Sequence, residues 1–478
     1  MKINRIGDFL WEIPASEKPG MRVPARFYAS DVLKTGFGPA VLEQLTNIAT
    51  LPGILQYALC MPDGHPGYGF PIGGVAAFSV TDGVISPGGI GFDINCGVRL
   101  IKTNLRLQAV RPRLKTLLDG LFKAVPTGMG GKNGISLSKR DMPHIMREGA
   151  VWAIQKGYGW PQDCDRIEDG GKIGWADPDA VSEQAVERGI TQLGTLGSGN
   201  HYLEIQTVSD IFDASAAEVL GLSPGQVVVM THCGSRGFGH QIATDYLRAF
   251  GQAQRKYGIT LPDRQLAAAP FTSPEGQAYY RAMAAAANFA FANRQVITHH
   301  VRAVFSKIFG KNALALGMDI VYDVAHNIAK REKHVVNGKR REVLVHRKGA
   351  TRAFGPGSAG MPEKYKKIGQ PVIIGGSMET GSYLLLGTAG AEAATFGSTL
   401  HGAGRVLSRR AAKKRIQGKA LLKQMAERGI LVRAASLSGL SEEAGAAYKN
   451  VAEVVHTVAA AGLSKKVAAL KPIGNIKG

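Results

Sequence analysis

The chain has 478 residues, 45% hydrophobic and 20% charged, a composition that excludes a disordered protein and suffices for a large core. Its 58 Lys and Arg against 37 Asp and Glu leave a net charge of +21, which favours a polyanionic partner through counterion release. Four cysteines with no CxxC pair exclude a disulfide framework and a zinc ribbon; with no apolar run of membrane-spanning length, the expectation is a cytoplasmic protein whose reduced thiols are free to act as ligands or nucleophiles.

In chain order, residues 51–107 are dense in Gly and Pro, broken by the β-prone runs VAAFSV (75–80) and GVRLIKTNL (97–105), so strands joined by tight turns are expected. Within this region GGIGFDINCGVRL (88–100) sets Asp93 and Cys96 three residues apart among four glycines. That spacing suits a backbone that something must approach closely. Residues 108–190 are more polar, and GMGGKNG (128–134) reads as a mobile loop without the Lys-Ser/Thr ending of a P-loop. VVVMT (227–231) is a short apolar strand running into HCGSRGFGHQ. The Ala-rich stretch 276–309 has helical spacing and carries His299 and His300 as core or surface histidines rather than ligands. Next, IVYDVAHN places His326 and Asn327 behind a strand, and VVNGKRREVLVHRKG predicts a hairpin with a type I′ turn at Asn337-Gly338. A basic helix is expected over 409–429.

Two loops echo each other: His232-Cys-Gly-Ser-Arg236 and His401-Gly-Ala-Gly-Arg405 both place His and Arg four apart around small residues, a pattern that would let an anion reach the backbone while arginine grips phosphate. Asp93, Cys96, Asn200, His201, His232, His326 and His401 all sit in small-residue loops. Singly, each is more often a structural residue. Together they offer a carboxylate, a thiolate and several imidazoles from separate loops, the sequence pattern of a catalytic metal site.

The series GGIGFDINCGVRL, DGHPGYGFPIGG (63–74), LGSGNHYLEI (196–205), HCGSRGFGHQ, DVAHN, VHRKGATRAFGPG (345–357), GSMETGSYLL (376–385), STLHGAGR (398–405) and the terminal IGNIKG resembles, in order, the motifs of the RtcB family. The resemblance runs from about residue 60 to the end of the chain. It implies an α+β fold of mixed β-sheets with flanking helices, a single catalytic domain over 1–478, and a GTP-dependent ligase that joins 2′,3′-cyclic phosphate or 3′-phosphate RNA ends to 5′-hydroxyl ends, in tRNA splicing or RNA repair. It implies two manganese ions, one held by Asp93, Cys96 and His201 and the other by Cys96, His232 and His326. His401 would be the nucleophile that takes GMP from GTP. The guanylate pocket would comprise Asn200, Glu204, Asn327, Ser377, Ser382, His401, Ala403, Gly404, Tyr448 and Lys477, with Arg236 and Arg405 on the RNA terminal phosphate. A monomer, with an archease-like activating protein as a possible partner, completes what the resemblance implies. Glu379 departs from the common pattern, which has glycine there, and would bring negative charge towards the nucleotide. A metal-dependent phosphoesterase acting on RNA terminal phosphates, without ligation, is the alternative; it has no need of His401.

Overall fold

The computed structural model of the chain describes residues 1–128, 130, 135 and 137–478, and most of the loop expected at 128–134 lies outside them. Among the described residues two large β-sheets, two small two-stranded ones (Val84–Ile85 with Ala269–Pro270, and Ala350–Arg352 with Ser398–Leu400) and flanking helices form the α+β architecture. One sheet runs Asn4–Arg5, Leu10–Ile13, Ala25–Tyr28, Ala58–His65, Ile72–Ser79, Lys339–Lys348, Asn327–Val336. The other large sheet runs Ile320–Ala325, Gly97–Arg106, Gln226–Cys233, Tyr202–Ile211, Ser464–Lys477, Ser382–Gly387, Pro371–Ile374, with Leu431–Ala434 pairing in parallel with the C-terminal half of Ser464–Lys477. Gln226–Cys233 is buried along its whole length, as a continuous apolar run in mid-sheet requires. The expected hairpin is present. Val336 pairs with Lys339 across Asn337 and Gly338, whose φ values of 50° and 74° are both positive, as a type I′ turn demands.

The expected Ala-rich helix spans Pro274–Phe309. Ser273 caps it by accepting from the Gly276 N–H, Pro274 occupies its first turn, and Gly310 ends it in the left-handed region. Its alanines 282, 284–287, 290 and 292 are fully buried, so neighbouring elements pack close to the helix backbone. His299 and His300 are half-buried on it, away from the ligand clusters described below.

The basic stretch 409–429 is not one helix but two, Arg409–Arg415 and Gly418–Glu427. Ile416 and Gln417 are extended between them. The second helix starts hard against its neighbour: a side chain at Gly418 would meet the Leu437 carbonyl oxygen at 2.6 Å. Among the described residues no helix is long and apolar enough to cross a membrane.

Candidate active site

Strand register brings the separated ligands together. Gly97 pairs with Ala325 on one side and with Cys233 on the other, which leaves Cys96 between the strand leading to His326 and the strand carrying His232. Tyr202 pairs with His232, so His201 stands at the same end of the sheet. His326 is the single residue joining Ile320–Ala325 of one sheet to Asn327–Val336 of the other, and its N–H donates to the Cys96 carbonyl at 2.9 Å. With strands about 4.8 Å apart, these positions force four ligand side chains into one small volume. The Cys96 Sγ lies 3.4 Å from His201 Nε2 and 3.1 Å from His232 Nε2. His232 Nε2 is 3.2 Å from His326 Nε2, and His201 Nε2 is 2.8 Å from Asp93 Oδ2. Two triads result, Asp93–Cys96–His201 and Cys96–His232–His326, each with ligand atoms within 4.8 Å of one another and with the sulfur common to both.

The surroundings aim these atoms. His201 Nδ1 donates to the Leu196 carbonyl at 2.9 Å and His232 Nδ1 to the Asn200 carbonyl at 3.0 Å; a carbonyl only accepts, so each ring presents an unprotonated Nε2 when neutral. Asp93 Oδ1 accepts from the Arg236 N–H at 3.1 Å and the Ser235 hydroxyl at 3.3 Å. The glycine at 234 is required there, because a side chain would come within 2.4–2.6 Å of the Asp93 carboxylate. From the long helix, fully buried Arg294 donates to the carbonyls of Asn95 at 2.8 Å and Cys233 at 2.9 Å while pairing with Asp323. One guanidinium thereby ties together the two segments that carry Cys96 and His232.

Burial pushes the Cys96 thiol up to about 12, so its thiolate requires a nearby cation. Burial, joined by the charges of neighbouring histidines, holds His232 and His326 well below the usual histidine range, leaving the neutral imidazoles that metal ligation needs. Burial would raise the Asp93 carboxyl, but the His201 contact outweighs it and keeps it ionised. Burial works to lower His201, but the charges of Cys233, Cys96 and Asp93 outweigh it and hold the ring well above the usual histidine range, so a metal ion would displace its Nε2 proton. A carboxylate, a thiolate and three imidazoles, two of them aimed by Nδ1–carbonyl hydrogen bonds, fit a pair of divalent cations. On donor type alone zinc would bind more tightly than manganese.

His401 follows the short strand Ser398–Leu400 and packs against His326, ring centroids 4.8 Å apart. Its Nδ1 donates to Asp63 Oδ2 at 2.6 Å, and the same oxygen accepts the N–H groups of His401 at 3.1 Å and Gly402 at 3.2 Å. Burial works to raise Asp63, but His401's charge and hydrogen bonds hold the carboxyl below its ordinary range. Ionised Asp63 therefore fixes the tautomer with a free Nε2 on His401. Sequence reading passed over Asp63 although it opens DGHPGYG: the partners are 338 residues apart. Gly404 shows the same closeness, with φ +75° and the Asp63 carbonyl oxygen 2.1 Å from where a Cβ would stand.

A cavity of about 880 Å³ joins the metal triads to His401, and every expected site residue except Ser382 lines it. Glu204 is buried, accepts from Gln206 Nε2 at 2.6 Å, and is pushed up to about 7 by burial despite the nearby Lys477. Ser382 stands behind this pair, accepting from Gln206 at 3.0 Å. Lys477 is anchored as the last residue of Ser464–Lys477, paired with Tyr202, its ammonium 5.3 Å from the Tyr202 ring centre. Tyr448 follows a short turn at Gly445–Ala447, and its hydroxyl bonds Glu443. Glu443, absent from the sequence-based set, is a hub: buried, it also pairs with Arg405 at 3.1 Å and lies 3.6 Å from Lys477. Arg405 is engaged by the chain itself, through Glu443, the Tyr448 hydroxyl, and the carbonyls of Leu407 and Glu442. Arg236 packs its guanidinium over Gly197 and bonds Thr195 at 3.3 Å. Glu379 turns to the Gly445 N–H at 2.5 Å and Arg428 at 3.2 Å, which neutralises the charge that the sequence placed near the nucleotide.

Residues 44–478 match the family model described as tRNA-splicing ligase RtcB. The chain is 54% identical over 477 residues to the tRNA-splicing ligase RtcB of Thermococcus kodakarensis, covering 100% of this chain and 99% of that one. It is 53% identical over 476 residues to the protein of the same name from Archaeoglobus fulgidus, and equally so to that from Methanococcus maripaludis, with the same coverage. Register-built ligand triads, a carboxylate-held histidine and full-length similarity converge: the chain belongs to the RtcB family of tRNA-splicing RNA ligases.

Proposed function

We propose that this ligase is GTP- and manganese-dependent and joins 2′,3′-cyclic phosphate or 3′-phosphate RNA ends to 5′-hydroxyl ends through a covalent histidine–GMP intermediate. The observation that carries the reading is the adjacency of His401, with Nε2 freed by Asp63, to the triad Cys96–His232–His326. Asp93, Cys96 and His201 would hold one ion and Cys96, His232 and His326 the other. Bound there, manganese would supply charge neutralisation to phosphate oxygens.

His401 Nε2 attacks the α-phosphorus of GTP; the N–P bond forms as the bond to pyrophosphate breaks. The ring becomes cationic as it does so, and Asp63 balances that charge while keeping the Nδ1 proton. Glu204 accepts from the guanine N1–H and N2–H groups, which adenine lacks, with Lys477 and Tyr448 completing the wall beside Asn200, Asn327, Ser377, Ser382, Ala403 and Gly404. A cyclic end is first opened by water to a 3′-phosphate. GMP then passes to that phosphate, and the 5′-hydroxyl of the second strand displaces it. Arg236 clamps the terminal phosphate. Arg405 contributes through its hold on Tyr448 and Glu443 until a phosphate draws it away. The whole chain works as one catalytic domain.

The test is incubation with labelled GTP and manganese. The ligase reading expects a GMP adduct, stable to alkali and labile to acid, that His401→Ala abolishes; no adduct, together with phosphate released from a 3′-phosphate RNA in a parallel incubation with manganese, would establish the phosphoesterase instead.

A further inference from the structure

Beyond the metal triads the cavity has an aromatic wall that the ligation scheme leaves unused. Phe92, next to the ligand Asp93, is half-buried in that wall and stacks on His240, ring centroids 4.7 Å apart and planes 24° from parallel. Tyr68 meets Phe92 edge-on at 5.1 Å. The result is a ladder Tyr68–Phe92–His240. His240 is its exposed rung, on the helix Arg236–Lys256 that follows the metal loop. Burial and the charge of Arg188 hold His240 below the usual histidine range, which leaves a neutral, flat ring near neutral pH. Exposed Arg188 and the Arg236 of the phosphate clamp line the same side of the cavity.

An aromatic face beside cationic side chains, opening into a phosphate-handling cavity, has the make-up of a single-stranded nucleic acid subsite. The ladder is separate from the guanine wall: Glu204 and Lys477 come from the strands Tyr202–Ile211 and Ser464–Lys477 and Tyr448 follows the turn at 445–447, whereas Phe92 stands on the loop of Asp93, His240 on the helix Arg236–Lys256 and Tyr68 on the segment between Ala58–His65 and Ile72–Ser79. We propose that His240, backed by Phe92, is a stacking platform for the terminal nucleobase of an RNA end held at the Asp93–Cys96–His201 side of the site.

The proposal rests on the RNA-ligase reading. The base could belong to the 5′-hydroxyl strand or to the 3′-phosphate strand; the chemistry is the same. Its test is equilibrium binding, by fluorescence anisotropy, of short single-stranded RNAs whose terminal nucleotide is intact or abasic, at the 5′-hydroxyl end in one pair and at the 3′-phosphate end in another. The wild-type protein is expected to hold one of the intact ends about tenfold or more tightly than its abasic counterpart, and the pair that discriminates names the strand. His240→Ala should erase the discrimination and His240→Phe, which keeps a flat ring, should restore it. Wild-type binding indifferent to both abasic ends would overturn the platform. So would His240→Ala discriminating as the wild type does. Formation of the GMP adduct needs no RNA, so its failure would count against the ligase reading and leave this binding test intact.

Discussion

Replacing Asp63 by Asn removes a charge while keeping the shape of the side chain. An amide oxygen at the Oδ2 position still accepts from His401 Nδ1 and from the N–H groups of His401 and Gly402, so the ring stays in place. What disappears is the counter-charge for the imidazolium that develops as Nε2 bonds to phosphorus. Asp63 is fully buried, with Oδ2 2.6 Å from His401 Nδ1; for charge centres on the order of 4 Å apart an effective dielectric of about 20 gives about 4 kcal/mol. The retained neutral hydrogen bond recovers part of this, leaving about 3–4 kcal/mol, or about 10²–10³-fold in rate. Single-turnover formation of the GMP adduct, with metal content and nucleotide affinity measured in parallel, reads the effect directly. A variant guanylylated within about threefold of the wild-type rate would refute the assignment of Asp63 as the partner of a cationic His401.

Other residues give further expectations. Because burial raises Glu204 to about 7 and its ionised form accepts from guanine, GTP affinity should rise as pH increases through 7; Lys477, Gln206 and Tyr202 face the same carboxyl, and the dependence should vanish in Glu204→Gln. Cys96→Ser, having lost the shared sulfur, should bind less metal at both positions when ions are counted by elemental analysis. Arg294→Met leaves Asp323 with Arg99 as its remaining cation and frees the carbonyls of Asn95 and Cys233; a loss of about 3–5 kcal/mol, seen as a lower denaturation midpoint, is expected.

The ligand residues were legible because each stands in a short small-residue motif at a strand end, where a His, Cys or Asp has little packing role of its own. The long helix and the hairpin were legible for similarly local reasons: Ala-rich composition with apolar spacing of three and four, and Asn-Gly between β-prone runs; the Ser273-Pro274 start of the helix went unread. Asp63, Glu443 and Arg294 carry no comparable local mark. Their roles arise from contacts across hundreds of residues, or, for Glu443, from a turn that directs it towards Tyr448, Arg405 and Lys477. The break at Ile416–Gln417 carried one local mark, Gly418, a weak helix former in a stretch otherwise rich in good ones, and the close approach of Leu437 to it lies outside that stretch. At Glu379 the sequence supplied the charge but not its direction, which Gly445 and Arg428 decide.

The central claim is that one thiolate joins two cation sites beside the nucleophile. Anomalous scattering at the manganese edge, from crystals of the wild-type protein grown with manganese, measures this directly. Two peaks flanking the Cys96 sulfur are predicted, one shared with Asp93 and His201 and the other with His232 and His326. A single peak, or peaks that leave the sulfur uncoordinated, would contradict it.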